Sequence, residues 1–93
     1  FCMELPPQYY LQMVSRSSLA LKGVVTLGGL IDSDYRGQVL LLLHNLSPLP
    51  INIEVGDRIG QGIIMKYYKL NLVHVEQLNP SHRGLSGFGS TGK

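Results

Sequence analysis

Ninety-three residues with 44% hydrophobic but only 15% charged side chains make one domain, with more apolar surface than a core of that size hides. Association with further copies is the natural outlet. The formal charge of +2, with no Lys/Arg run or basic stripe, excludes a nucleic-acid footprint and leaves only a few cations for a small anion.

In chain order, "YYLQMV" (9–14) reads as a first strand, and "SRSSLALKG" (15–23) is the one helical stretch. Ser15 suits the N-cap, Leu19 to Lys22 are strong helix formers, and Gly23 fits the position after the last turn. Arg16, Ser17 and Ser18 then surround the helix start with a guanidinium, hydroxyls and free N–H groups, the chemistry of an anion site; ordinary capping explains the same serines. Next, "GGLIDSDYRGQV" (28–39) puts Asp32, Asp34 and Tyr35 on a turn between apolar runs. Leu30 and Ile31 lead into Asp32, so its carboxylate is expected to emerge from a buried strand where it can serve as a general base; both acids also suit a plain turn.

"QVLLLLHNL", "INIEV", "RIGQGIIMKYY" and "NLVHVEQL" are further strand candidates, separated by turns at "SPLP" and "VGD". "INIEV" (51–55) alternates with period two, Ile51, Ile53 and Val55 on one face. Gly60 and Gly62 share a face of the presumed strand and imply close approach by another group. Strands at this spacing indicate an all-β sandwich, jelly roll or barrel with one short helix. "VLLLLHNL" is far shorter than the roughly 20 residues of a membrane span. The tail "GFGSTGK" (87–93) mimics a phosphate-binding P-loop but lacks the flanking strand and helix and the terminal Ser or Thr. A plain linker would need neither Phe88 nor Arg83.

Taken together, these segments resemble the trimeric dUTPase family. Four of its five motifs stand in order: "SRSSLALKG", "GLIDSDYRGQV", "GDRIGQGI" and "RGLSGFGSTGK", spanning residues 15–93. The short run between Lys22 and Asp32 looks most like virus-encoded members.

The resemblance implies a jelly-roll-like β domain that hydrolyses dUTP to dUMP and pyrophosphate. Asp32 would activate the attacking water, and Tyr35 would pack under the deoxyribose and exclude a ribose hydroxyl. The backbone of Gly29, Leu30 and Ile31 would pair with the uracil edge. Arg16, Ser17, Ser18 and Gln61 would hold the phosphates, with a Mg²⁺ ion clamping the triphosphate. Residues 83–93 would form a flexible lid, Phe88 stacking on uracil while Arg83, Gly89, Ser90 and Thr91 close over the phosphates. Homotrimers with shared active sites are implied, without nucleic acid or membrane.

The family's first motif, whose Asp helps hold the metal, is missing, so the domain over residues 1–93 is expected to be N-terminally incomplete. That loss leaves a non-catalytic nucleotide-binding or regulatory module as the alternative. A dCTP deaminase relative fits less well, because its catalytic Glu would fall where Leu42 stands. His44, His74 and His82 lack ligand spacing, and the lone Cys2 favours an intracellular setting (cytoplasm, nucleus or virion) over secretion.

Overall fold

The computed structural model describes residues 1–89. Five strands and one short helix follow in the order β1 (Tyr9–Val14), α1 (Ser17–Leu21), β2 (Val24–Leu27), β3 (Leu30–Asp32), β4 (Leu42–Asn45) and β5 (Gln61–Lys66). All pairings are antiparallel: β3, β1 and β5 form one sheet in that order, and β2 pairs with β4 in a second. The architecture is all-β, as the strand pattern predicted, and jelly-roll-like, as the family resemblance implied.

β1 is the axis of the larger sheet. Leu11 faces Ile31 on one side and Ile64 on the other, and it is one of two buried apolar side chains among the described residues, 7% exposed beside Val24 at 2%. Burying a leucine stabilises by about 1.5–3 kcal/mol, so this short list leaves a thin core. The radius of gyration is 19.0 Å, against about 13 Å for a compact domain of 100 residues. Leu40, Leu46, Leu49, Leu70, Leu72 and Leu78 all stay exposed. Among the described residues no helix is long and apolar enough to cross a membrane.

Several expectations are corrected. "INIEV" forms no strand: Ile53 and Val55 are exposed, and the segment closes a turn in which the Asp57 carboxylate accepts from the Glu54 N–H at 2.9 Å. "NLVHVEQL" forms none either, because no strand of the described chain lies alongside to take its backbone groups. Strand structure in "QVLLLLHNL" is confined to β4; upstream, Val39 N–H instead donates to the Phe1 carbonyl at 2.8 Å. The helix begins one residue later than expected, with Arg16 as N-cap and no side-chain cap bond. Ser15 is drawn away because its hydroxyl accepts the Thr26 N–H at 2.8 Å, tying the start of the helix to β2. Gly23, at φ 85, does end the helix, and its carbonyl accepts from Leu46 N–H at 2.8 Å.

Candidate functional site

Among the described residues β3 is an edge strand, so one side of its backbone pairs with β1 and the other has no strand partner. Gly28 and Gly29 deliver the chain into it at φ 64 and 111, values that side chains other than glycine's rarely adopt. A Cβ on Gly29 would lie 2.9 Å from the Met13 carbonyl oxygen, which leaves no room for a larger residue. That carbonyl belongs to a close join, since Met13 N–H donates to Gly29 O at 2.7 Å. The Gly-Gly pair thus sets the edge directly against β1.

Beside this edge lies an open cleft of about 300 Å³ lined by Gly29, Leu30, Ile31, Asp32 and Tyr35, together with Thr26, Gln38 and Leu40 to Leu42. Of the expected residues, five are therefore brought together here: the three of the uracil-reading backbone, the base and the tyrosine. The strand carrying Asp32 is not buried, however: Leu30 is exposed and Ile31 only half-buried. β3 is only three residues long and stands at the edge of its sheet. Asp32 reaches the cleft exposed, opposite Tyr10 in the ladder.

A second groove, about 470 Å³, holds Arg16 and Gln61 with Asp57, Arg58 and Ile59. The Arg16 guanidinium donates to the Arg58 carbonyl at 3.4 Å, and the Gln61 amide donates to the Ser15 carbonyl at 3.1 Å. Both side chains are thereby leaned onto backbone at the mouth of α1. Ser17 and Ser18 are exposed on the first turn of the helix. Met13 and Leu41 line both openings and divide one from the other. Leu41 occupies the space above Gly60, where a Cβ would come within 2.6 Å of its Cδ2. A Cβ on Gly62 would meet Leu11 at 2.8 Å, so both glycines do mark close approaches.

Arg83 and Phe88 line neither opening. Arg83 carbonyl accepts from Ser86 N–H at 3.2 Å in a local turn, and Phe88 and Gly89 both have positive φ, with Phe88 fully exposed. Ser90 and Thr91 lie outside the described residues. The candidate set is thus divided within one chain into the cleft beside β3, the groove holding Arg16 and Gln61, and residues 83–89 apart from both. Sequence reasoning missed Arg58, Thr26, Gln38 and Leu41 as lining residues; only the glycine at position 60 hinted at Leu41. Among the described residues no three His, Cys, Asp or Glu side chains converge on a point where a metal ion could sit.

Comparison with known proteins gives a consistent answer. The chain is 47% identical over 94 residues to the deoxyuridine 5'-triphosphate nucleotidohydrolase of Helicobacter pylori (strain Shi470) and 48% identical over 95 residues to that of Caulobacter vibrioides (strain NA1000 / CB15N). The alignments cover 98% and 99% of this chain but 65% and 61% of those proteins, so the chain spans less than two thirds of their length. Both are bacterial and lend nothing to the expected likeness to virus-encoded members. Among solved structures, a Staphylococcus bacteriophage 80alpha dUTPase variant with dUpNHpp superposes at a TM-score of 0.81, with 26% identity, over 99% of this chain and 72% of that one. The EIAV dUTPase, 23% identical, shares the fold at 0.76 over 85% of this chain and 66% of its own. The dUTPase family model itself matches residues 1–92, and with relatives this similar along nearly the whole of it, the chain belongs to the dUTPase family.

Proposed function

We propose that this chain carries the substrate-binding body of a dUTP diphosphatase. The observation that carries the reading is the meeting of Asp32, Tyr35 and the open edge of β3 in one cleft. An edge strand offers fixed donors and acceptors that a uracil edge can match and a cytosine edge cannot. Tyr35 beside that edge gives the deoxyribose an apolar face. The phage relative's complex with dUpNHpp, a dUTP analogue, supports the same ligand class here.

In the proposed reaction Asp32 accepts a proton from a water as that water attacks the α-phosphorus. The bond from that phosphorus to the bridging oxygen breaks, leaving dUMP and pyrophosphate. Arg16, Ser17, Ser18 and Gln61 hold the phosphate oxygens, with Arg58 adding a second guanidinium in the groove. Arg83, Phe88, Gly89, Ser90 and Thr91 close over the bound nucleotide.

Mg²⁺, when bound, would screen the triphosphate charge. Among the described residues no three His, Cys, Asp or Glu side chains converge to hold it, and no step above depends on it.

A homotrimer belongs to this reading. A single chain keeps Arg16 and Gln61 in a different opening from Asp32, leaves Phe88 away from both, and exposes much of its apolar surface. Sites completed between copies would unite the pieces and cover the leucines. Pyrophosphate release from dUTP, with UTP, dCTP and dTTP as controls, tests the function: turnover confined to dUTP supports it, and nucleotide binding without turnover favours the non-catalytic module instead.

A further inference from the structure

Tyr35 is held by its own turn. Its hydroxyl donates to the Gln38 carbonyl at 2.9 Å, so the side chain folds back over the three residues that follow. The ring comes to rest directly above Gly37. A Cβ built there would lie 2.6 Å from the ring's Cζ and 2.9 Å from Cε1, and closer still to the hydroxyl oxygen. Gly37 is not among the residues with positive φ, so the need for glycine at this position is one of space and not of backbone conformation.

Two constraints therefore act on one ring. The carbonyl at 38 fixes how far the tip reaches, and the bare Cα at 37 lets the end of the ring come close to the turn. Tyr35 is 44% exposed, and its free part lines the cleft beside Asp32. Without the seat, a side chain this exposed would sample several rotamers, and a surface that moves cannot exclude one extra oxygen atom.

We propose that Gly37 and the Gln38 carbonyl are positioning groups for sugar discrimination, setting the height of the Tyr35 ring and hence the clearance left at the sugar's 2′ carbon. This inference rests on the reading of Tyr35 as the floor under the deoxyribose. An alanine at 37 pushes the ring off its seat and frees it to swing away from the sugar, whereas phenylalanine at 35 keeps the volume and loses the tether.

The test is made in the full-length protein by comparing kcat/KM for dUTP and UTP in wild type, Gly37→Ala, Tyr35→Phe, Tyr35→Ala and the Gly37→Ala/Tyr35→Ala double variant. Misplacing a positioning group by about 1 Å costs up to ~10²-fold, so Gly37→Ala is expected to lower the dUTP/UTP ratio at least ~10-fold, with UTP gaining relative to dUTP. In the Tyr35→Ala background the same change should leave the ratio unaltered, because the ring it acts through is gone. NMR contacts between the Tyr35 ring protons and the Gly37 α-protons report the seat independently, and should vanish in Gly37→Ala with the remaining spectrum preserved. An unchanged ratio in Gly37→Ala, or an equal effect with and without the ring, overturns the inference alone. A wild type that hydrolyses dUTP and UTP equally well overturns the underlying reading as well, even if the ring contacts are present.

Discussion

Replacing Gly62 with alanine is a change that generic reasoning calls stabilising and this structure calls harmful. Gly62 lies in β5 opposite Met13, at ordinary backbone angles, so alanine there should gain about 0.4–1 kcal/mol by restricting the unfolded chain. The added Cβ, however, would sit 2.8 Å from Leu11 Cδ1 and 3.4 Å from Met13 Sδ. Leu11 cannot step aside freely: it is buried, with Ile31 and Ile64 as its neighbours across the sheet. Overpacking a filled site costs about 1–3 kcal/mol, so the steric term wins and the net loss should be about 1 kcal/mol. Leu11→Ala alone should cost about 2 kcal/mol, near the lower end for cavity formation, because the thin core can collapse around the gap. Together the two changes should cost about 1 kcal/mol less than their sum, since each relieves the other. Urea denaturation followed by circular dichroism, at one fixed protein concentration so that association does not enter, measures all three variants. A more stable Gly62→Ala protein, or strict additivity with Leu11→Ala, would refute the packing account of the central sheet.

Other outcomes follow from the site and the helix start. Ser15→Ala should cost about 1–2 kcal/mol by leaving the Thr26 N–H without its 2.8 Å acceptor; a thermal melt unchanged from wild type would return Ser15 to a dispensable role. Asp32→Asn should lower kcat for dUTP by at least ~10²-fold while nucleotide binding by calorimetry persists, and unchanged turnover would remove Asp32 as the base. Deleting residues 83–93 should weaken catalysis severely yet leave the oligomer intact by light scattering; a monomeric product would make the tail structural.

How far the sequence was legible depended on whether a segment finds its partner within this chain. "YYLQMV" matches β1 residue for residue, since its β-prone residues are answered by strands on both sides. Residues 51–55 alternate cleanly and 71–78 are strand candidates too, yet neither has a strand neighbour in the described structure and neither forms a strand; periodicity reports a face ready for burial, not the group that buries it. β2 was obscured by its brevity and by the Gly-Gly join that follows it, whereas the strand leading into Asp32 was expected and only its burial was not; the same glycines proved to be what seats β3 against β1. For the candidate site, Asp32, Tyr35 and the 29–31 backbone were legible because they are contiguous. The division between Arg16 with Gln61 and the nucleoside cleft was not, since it depends on Leu41 crossing over Gly60, a long-range contact that no local pattern encodes.

The most direct test of the central claim is pyrophosphate release by the full-length protein from dUTP, measured beside UTP, dCTP and dTTP with and without Mg²⁺. Turnover of dUTP at least ~10²-fold faster than of the other three is expected, the scale at which a missing or mismatched polar contact is rejected. Nucleotide binding without release of pyrophosphate, or equal turnover of UTP, would contradict it.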